Sequence, residues 1–275
     1  ITVSNAAGLG FSAVQVDSGA TLYIDGVTIA PSSINIAGSG VDGTGALTGT
    51  GAASYSGSLV LSGAAAVGAT AGSTLTLGAI NGGVGDSLIK LGDGTVVLGG
   101  PASYSGGTTI GAGVLTAGNA TALGPAGTVT VTSGGTLNIA DGITLAAGTP
   151  ISLSGTLRGT GNAVYDGTVT LAAATARIDT PIASDTLTLG AAMDGSSALT
   201  KIGAGTLKLS GANSYSGSTA INGGTVLLNS SSTLPDLTVV SFSGAGSKLE
   251  LNGTNQHIGS LGGPGTIQLG TGTLR

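Results

Sequence analysis

Short runs of alternating apolar and polar residues cover most of this chain. Aliphatic residues stand two positions apart, with threonine, serine or asparagine between and beside them, which is typical of short β-strands with one buried face. Such pairs are Val129 and Val131, Leu137 and Ile139, Ile143 and Leu145, Ile151 and Leu153, Leu187 and Leu189, Leu207 and Leu209, Leu249 and Leu251, and Ile267 and Leu269. No segment of about ten residues has helical spacing. The pattern therefore predicts an all-β fold with strands of about four or five residues.

Turn signals separate these strands at intervals of roughly 7 to 12 residues. Six of the eleven aspartates directly precede glycine, and three asparagines do the same. Such pairs supply the positive φ angle that tight turns need. They begin at Asp25, Asp42, Asp93, Asp141, Asp166, Asp194, Asn81, Asn222 and Asn252.

The chain contains an internal repeat. Leu88 to Gly113 aligns without a gap with Leu199 to Gly224, and 14 of the 26 positions are identical. Shorter or looser echoes extend the motif, so that a tyrosine recurs at Tyr55, Tyr104, Tyr165 and Tyr215. Repetition of many short strands favours a β-solenoid over a sandwich or barrel, since a wider core usually needs more aromatic residues.

A rung of ~25 residues would give the chain about eleven rungs. We therefore expect residues 1–275 to form one continuous β-solenoid segment, with repeat copies at residues 88–119 and 199–230.

Composition excludes several classes of protein. Glycine accounts for 54 of 275 residues, charged residues for 7% and aromatic residues for 3%, and there is no cysteine. This is not the composition of an ordinary enzyme. Because 40% of the residues are hydrophobic, the chain is also unlike disordered sequences, which combine low hydrophobicity with high charge. The glycines follow no strict three-residue period, which excludes collagen.

Charge and hydrophobicity exclude two kinds of partner. Seven basic and twelve acidic residues give a net charge of −5, so there is no basic surface for nucleic acid. The long uncharged stretches are broken by glycine and never reach the ~18 apolar residues of a membrane-spanning helix. A membrane barrel would need girdles of aromatic residues, and the chain has five tyrosines and two phenylalanines. We expect no membrane insertion of this segment.

The later repeat copy, Leu199 to Asn229, resembles the autotransporter-associated β-strand repeat, also called the passenger-associated transport repeat. The likeness is carried by Lys201, Gly203, Gly205, Thr206, Leu207, Leu209, Gly211, Asn213, Tyr215, Ser216, Gly217, Thr219, Ile221, Gly223, Gly224 and Val226. The earlier copy shares Lys90, Gly92, Gly94, Thr95, Leu98, Gly100, Tyr104, Ser105, Gly106, Thr108, Ile110 and Gly113. It departs with Pro101 and Ala102, where the later copy has Ala212 and Asn213. Asn255 to Leu269 also resembles passenger sequence.

The resemblance implies a right-handed, single-stranded parallel β-helix in the passenger of a type V secreted protein. It also implies export across the outer membrane of a Gram-negative-type bacterium, followed by display on the surface or release. Repeats of this family are associated with passage and folding of the passenger, and not with catalysis. No signal peptide or translocator barrel is recognisable in residues 1–275, so we expect a fragment of a longer protein.

Few side chains are candidates for a metal-binding, catalytic or sugar-binding site. His257 has neither a second histidine nor a cysteine to complete a metal site, and we expect a structural role. Asp179 and Asp185, near Arg177, are the acidic pair that lies outside Asp-Gly turns. A glycosidase needs paired carboxylates, but we expect no catalytic role here. Tyr104 and Tyr215 stand at equivalent positions where a sugar would stack, although packing over a turn is the expected use.

Other motif matches are interpreted as chance. Gly38 to Gly43 spells a dinucleotide-binding fingerprint, but no helix follows it. Gly82 to Asp86 approaches a calcium-binding nonapeptide that is not repeated in tandem. Strand propensity explains the alternate threonines that resemble an ice-binding face, which are Thr128, Thr130, Thr132, Thr186 and Thr188. We therefore predict no catalytic, cofactor-binding or metal-binding residues, and no cofactor.

Three functions remain open. The first is a non-enzymatic extracellular structural or adhesive β-helix, a stalk or passenger segment of an autotransporter-type bacterial surface protein. The alternative is a self-assembling filament of β-helices stacked end to end, because Ile1 to Val3 and Gly272 to Arg275 show strand pattern without polar caps. The third is a polysaccharide-acting enzyme. The predicted β-helix fold favours it, but the sequence offers no convincing set of catalytic residues. Expected partners are other copies of the chain or flanking rungs, and a host or neighbouring-cell surface.

Overall fold

The computed structural model describes residues 1–231 and 233–275 and shows an all-β fold. Over these residues the parallel strands form a β-solenoid of about 13 turns. Two compact units divide the chain, Ile1–Leu137 and Asn138–Arg275. In the described ranges the one helical element is a 3₁₀ turn, Val41–Gly43. None of the described segments forms a helix with the length and hydropathy that crossing a bilayer requires.

The first unit is built from fifteen short parallel strands. They are β1 (Thr2–Val3), β2 (Val14–Val16), β3 (Leu22–Asp25), β4 (Thr28–Ile29), β5 (Ser33–Gly38), β6 (Leu47–Thr50), β7 (Ala52–Tyr55), β8 (Ser58–Ala69), β9 (Thr74–Leu77), β10 (Ile80–Asn81), β11 (Ser87–Leu91), β12 (Thr95–Leu98), β13 (Thr108–Ile110), β14 (Gly113–Ala117) and β15 (Val129–Val131).

These strands stack in three ladders. One runs β1-β3-β6-β8-β11-β13-β15, a second runs β4-β7-β9-β12-β14, and a third joins β2, β5, β8 and β10. The long strand β8 serves two ladders, because its first residues pair with β5 and β10 and its last residues pair with β6 and β11. The rungs around β8 therefore have three strand faces, whereas those of β11 with β12 and of β13 with β14 have two.

The strand β16 (Gly135–Ile139) contains the boundary between the units. The second unit continues with β17 (Thr144–Leu145), β18 (Ile151–Leu153), β19 (Thr156–Gly159), β20 (Asn162–Tyr165), β21 (Val169–Leu171), β22 (Arg177–Asp179), β23 (Thr186–Leu189), β24 (Met193–Gly195), β25 (Leu199–Ile202), β26 (Thr206–Leu209), β27 (Thr219–Ile221), β28 (Thr225–Leu228), β29 (Val239–Phe242), β30 (Lys248–Glu250), β31 (Ser260–Gly262) and β32 (Thr266–Gln268). Its ladders are β18-β21-β24, β19-β22-β25-β27-β29-β31 and β17-β20-β23-β26-β28-β30-β32.

The rungs are shorter than the ~25 residues assumed from strand spacing. Leu88 pairs with Thr108, and Thr95 pairs with Val114. Shorter rungs explain why the chain makes about 13 turns and not eleven. The physical reason lies in the corners, since residues 92–94 form the whole turn between β11 and β12. The prediction of one continuous segment stays a prediction.

Alternation places the aliphatic residues inside each rung. Leu75, Val96 and Leu115 lie at matched register on β9, β12 and β14, and all three are fully buried. Each such side chain contributes about 1.5–3 kcal/mol through burial. Threonine occupies both outward positions of β9 and one of the two on β12, where the other is Val97. This stack of aliphatic side chains is the core of a rung.

Most of the predicted strands are present, and some are shorter than expected. Ile143, Leu251 and Leu269 lie just outside β17, β30 and β32. Gly272 to Arg275, predicted as a strand, contains one isolated bridge between Leu274 and Gln256. Period-two alternation therefore located the strands, but their ends depend on where each turn begins.

Candidate functional site

The two repeats fold in the same way, each as two successive rungs. In the first copy β11 pairs with β13 and β12 with β14, and in the second copy β25 pairs with β27 and β26 with β28. The registers match as well. The partners are Leu88 and Thr108, Thr95 and Val114, Leu199 and Thr219, and Thr206 and Thr225.

A fully buried lysine lies in each repeat. Lys90 on β11 has no exposed surface. Its Nζ donates hydrogen bonds to the carbonyl oxygens of Leu91 at 3.0 Å and Gly92 at 2.7 Å, which belong to its own rung. A third bond, of 3.0 Å, reaches the Ala112 carbonyl oxygen on the next rung. The ammonium group thus joins the turns of two successive rungs.

Lys201 on β25 repeats this arrangement in the second unit and is equally buried. Its Nζ donates to the carbonyl oxygens of Ile202 at 2.6 Å, Gly203 at 2.9 Å and Gly223 at 3.2 Å. Neither lysine takes part in an ion pair among the described residues. A protonated lysine has three N–H donors, and here all three are satisfied by backbone oxygens. Two independent copies of the same cage indicate that it is part of the repeat itself.

Burial lowers the pKa of Lys90 and of Lys201 to about 8. The cause is loss of solvation of the charged form, opposed by the smaller effect of Asp93 on Lys90 and of Asp179 on Lys201. Sequence analysis identified both lysines as repeat residues but gave them no role. A signal was available, because Lys90 stands two residues after the buried Leu88 and therefore faces inward.

Glycine is required in the turns around the lysines. Gly92 and Gly203 have φ angles of 72° and 78°, in the left-handed region that favours glycine. A Cβ atom on Gly94 would lie 2.7 Å from the Ser73 carbonyl oxygen, and one on Gly205 would lie 2.6 Å from the Ile182 carbonyl oxygen. These positions leave no room for a side chain, because the turns of successive rungs are in contact.

The recurring tyrosines are all buried, with at most 1% of each residue exposed, and they are Tyr55, Tyr104, Tyr165 and Tyr215. The Tyr104 hydroxyl bonds to Thr108 Oγ1 at 2.7 Å, and the Tyr215 hydroxyl bonds to Thr219 Oγ1 at 2.6 Å. Each of these bonds closes the Ser-Gly turn between the two residues. Sugar stacking on these rings is excluded in this conformation, because their faces lie inside the rung.

The two copies differ at one buried polar position. Asn213 donates from Nδ2 to the Thr233 carbonyl oxygen at 2.7 Å, and its Oδ1 accepts from the Met193 N–H at 2.7 Å. It therefore links its own rung to the rungs on both sides. Ala102 takes this position in the first copy and makes a backbone bridge to Ile80.

The two members of the acidic pair singled out in the sequence have different hydrogen-bond partners. Asp179 Oδ2 lies 2.8 Å from Arg158 Nε and forms an ion pair with it. The sequence did not predict this pair, because the two residues are 21 positions apart. Asp185 accepts hydrogen bonds from the N–H groups of Gly161 at 2.8 Å and Ile182 at 3.0 Å, so it holds a turn. Arg177 is exposed, on the outward side of β22. The strand register accounts for this ion pair, because Arg158 on β19 is the direct neighbour of Asp179 on β22.

The other matched motifs are turns or exposed positions. Gly38 to Gly43 leads into the 3₁₀ turn, which is too short to present a helix N-terminus. Asp86, at the end of the calcium-like stretch, accepts from the N–H groups of Gly63 at 2.7 Å and Gly83 at 2.6 Å. His257 is exposed. No cluster of three metal-ligating side chains occurs within the described ranges.

The alternate threonines face outward. Thr130 lies on the outward side of β15 in the first unit, and Thr186 and Thr188 lie on the outward side of β23 in the second. Thr132 donates from Oγ1 to the carbonyl oxygens of Ile110 at 3.0 Å and Gly111 at 2.8 Å. At least this threonine has a structural role at a turn.

Residues 88–117 and 199–228 match a family model described as the passenger-associated-transport-repeat. These are the two segments that contain the lysine cages and the buried Tyr104 and Tyr215. The chain is also similar to the Adhesin BmaC autotransporter of Brucella suis biovar 1 (strain 1330), with 36% identity over 126 residues. No solved structure matches the chain.

The alignment with this adhesin covers 44% of the chain and 4% of the adhesin. The chain thus matches only a small part of that relative's length. Both findings confirm the resemblance predicted from the repeat residues. The chain carries two passenger-associated transport repeats and is similar, over somewhat less than half of its length, to an autotransporter adhesin.

Proposed function

We propose that the chain is a non-enzymatic segment of an autotransporter-type passenger, with a structural and adhesive role at the bacterial surface or outside the cell. The observation that supports this proposal is the pair of matched repeats, which direct their buried polar groups to neighbouring rungs. The lysine cage and the tyrosine-threonine bond recur in both copies. Similarity to a protein named as an adhesin supports the adhesive role.

The local architecture suits a mechanical role. Parallel backbone ladders and interrung bonds make neighbouring rungs resist separation, since each rung contacts mainly its neighbours. Asp179, one of the two carboxylates considered as catalytic candidates, is buried and forms an ion pair with Arg158. The outward positions hold mostly threonine, serine and small residues, which leaves a low-charge surface for contact with another cell or matrix.

Adhesion is tested with beads coated with the purified 275-residue protein. Beads that carry the folded protein should attach to epithelial monolayers several-fold more than beads coated with albumin or with the heat-unfolded chain. Equal attachment, with circular dichroism showing that the coated protein is folded, would contradict the adhesive role. Antibodies against the segment should also label intact cells of the source bacterium, and labelling restricted to permeabilised cells would contradict surface display.

The non-enzymatic proposal is tested separately. Incubation with neutral and acidic glycans should release no new reducing ends. Turnover that disappears in Asp179→Ala, with circular dichroism showing that the variant is folded, would overturn this part of the proposal.

A further inference from the structure

The chain contains three asparagine-glycine pairs, and the fold restrains them to different degrees. They are Asn81 with Gly82, Asn222 with Gly223, and Asn252 with Gly253. In such a pair the backbone nitrogen of glycine can attack the side-chain carbonyl carbon of asparagine, because glycine has no side chain to obstruct the approach. The attack requires a free glycine N–H, a free side-chain amide and space for the ring that forms.

Asn81 and Gly82 are both held by hydrogen bonds. Asn81 Nδ2 donates to Ser58 Oγ at 2.6 Å, and the Gly82 N–H donates to Ser103 Oγ at 3.2 Å. The backbone is also crowded, since a Cβ atom on Gly82 would lie 2.7 Å from the Cβ atom of Tyr104. Cyclisation of this pair therefore has to break two hydrogen bonds.

Asn252 and Gly253 form the centre of a closed turn. Both have positive φ angles, of 50° and 79°. The Thr254 N–H donates to the Leu251 carbonyl oxygen across the turn at 2.9 Å, and the Gly253 N–H donates to the Leu269 carbonyl oxygen at 3.4 Å. Both residues of the pair are exposed, but cyclisation has to open this turn.

Asn222 and Gly223 are free of these restraints. Asn222 is exposed, and no hydrogen bond within residues 1–231 and 233–275 uses its side-chain amide or the Gly223 N–H. The pair lines a groove of about 390 Å³ at a corner of the second unit. Gly244 also lines this groove, and a Cβ atom on it would meet nothing within 4 Å. The pair thus has a free nitrogen, a free amide and space.

Local sequence does not explain the difference between the first two pairs. Residues 79–83 and 220–224 both read Ala-Ile-Asn-Gly-Gly. Any difference in reactivity between Asn81 and Asn222 must therefore come from the contacts that the fold provides. This identity makes Asn81 an internal control for Asn222.

The first repeat has the same turn without the reactive pair. The repeat alignment places Gly111 and Ala112 opposite Asn222 and Gly223. The N–H groups of Gly111 and Asn222 donate to the backbone carbonyl oxygen of the buried lysine of their own repeat, at 2.9 and 2.8 Å. The carbonyl oxygens of Ala112 and Gly223 accept from the ammonium group of the same lysines. The two turns therefore differ in side-chain chemistry and not in their backbone bonds.

We propose that Asn222 is a site of spontaneous deamidation in the folded protein. The Gly223 nitrogen loses its proton to water or hydroxide and attacks Asn222 Cγ. The N–Cγ bond forms, the Cγ–Nδ2 bond breaks, and Nδ2 leaves as ammonia with a proton from solvent, which gives a succinimide. Water then opens the ring to aspartate or isoaspartate at position 222. The net reaction consumes one water and releases one ammonia, without oxidation or reduction.

The product changes the surroundings of the buried lysine. Either form adds a negative charge to a chain whose net charge is −5. Isoaspartate also lengthens the main chain just before Gly223, whose carbonyl oxygen accepts the longest bond of the Lys201 cage, at 3.2 Å. We expect this bond to be lost in the isoaspartyl form, while the cage of the first repeat stays intact. The inference does not depend on the adhesive role.

The test follows deamidation of the folded 275-residue protein during storage at mildly alkaline pH, by trypsin digestion and mass spectrometry. Trypsin cleaves after lysine and arginine, so the three pairs fall in separate peptides, residues 1–90, 209–248 and 249–275. Peptide 209–248 should show the amide-to-acid mass change several-fold faster than the other two, with the change at position 222. In urea-unfolded protein, peptides 1–90 and 209–248 should react at similar rates, because their local sequences are identical.

Two variants test the chemistry. Gly223→Ala introduces the methyl group that Ala112 carries in the first repeat, and it should slow the reaction several-fold by obstructing the attacking nitrogen. Asn222→Gln, at an exposed position, should leave peptide 209–248 unchanged during storage, because its side chain would have to close a larger ring. If Gly223→Ala does not fold, Asn222→Gln decides instead.

Four results would overturn the proposal. They are equal or faster reaction of either other peptide in the folded protein, an intact position 222 after the unfolded control has reacted, an unchanged rate in Gly223→Ala, and continued reaction of peptide 209–248 in Asn222→Gln. The isoaspartyl form, separated by anion exchange, should unfold at a lower urea concentration than the unmodified protein. An equal midpoint would refute the effect on the lysine cage and keep the deamidation site.

Discussion

Replacing Lys201 by methionine removes the buried ammonium group and keeps an apolar side chain of similar length. The pKa of this lysine is about 8 in the folded chain against 10.5 for the free side chain. Between these values the unfolded chain binds more protons than the folded chain, so stability rises with pH. Below pH 8 both states are protonated and this contribution is constant. The full gain is reached above pH 10.5.

The size of the effect follows from the pKa difference. One pKa unit corresponds to about 1.36 kcal/mol, so raising the pH from 7 to 10 should stabilise the protein by about 2.5 kcal/mol through Lys201. Lys90 should contribute the same amount, because its pKa is lowered equally. At neutral pH, Lys201→Met loses three hydrogen bonds of about 1.5 kcal/mol each, which destabilises the variant. The variant also no longer buries a charged group, which offsets most of that loss. Lys201→Met should then be destabilised by only about 1 kcal/mol at pH 7.

The assay is urea unfolding followed by circular dichroism at pH 7, 8, 9 and 10. The difference between the unmodified protein and Lys201→Met should grow by about 2.5 kcal/mol across this range, since all other titrating groups cancel. Lys90→Met should behave alike. Lys208→Met is the control, because Lys208 faces outward on β26, and its difference should stay constant. Parallel pH profiles for the unmodified protein and Lys201→Met would refute the reasoning.

Three further outcomes are expected. Burial raises the pKa of the four buried tyrosines well above 10. Above pH 10 the unfolded chain therefore loses its tyrosine protons before the folded chain does, and the protein should lose stability. Tyrosinate absorbance should then appear together with unfolding. Tyr215→Phe should lower the unfolding free energy by about 1 kcal/mol by leaving Thr219 Oγ1 without its partner, as measured in urea, and an unchanged midpoint would contradict this. Gly205→Ala should cost about 1–3 kcal/mol through contact with backbone of the previous rung, whereas Gly244→Ala, in open space, should leave the thermal midpoint nearly unchanged, and equal effects would argue against the rung contacts.

Local pattern was sufficient for much of the fold. Alternation at Val129 and Val131 or at Leu187 and Leu189 locates strands, because side chains of a strand point to opposite faces at every step. The repeat alignment paired Lys90 with Lys201, and the structure gives both the same cage. Failures occurred at strand ends such as Leu269, where the turn and not the alternation decides exposure.

Sequence alone established an all-β solenoid with glycine turns and two related segments, since these features depend on residues close together in the chain. Tertiary structure alone decided the length of a rung, the ion pair of Asp179 with Arg158 and the burial of the tyrosine rings. Each of these depends on residues about one rung apart that stacking brings side by side. The register of that stacking is set by the length of every turn between them, which no local pattern records.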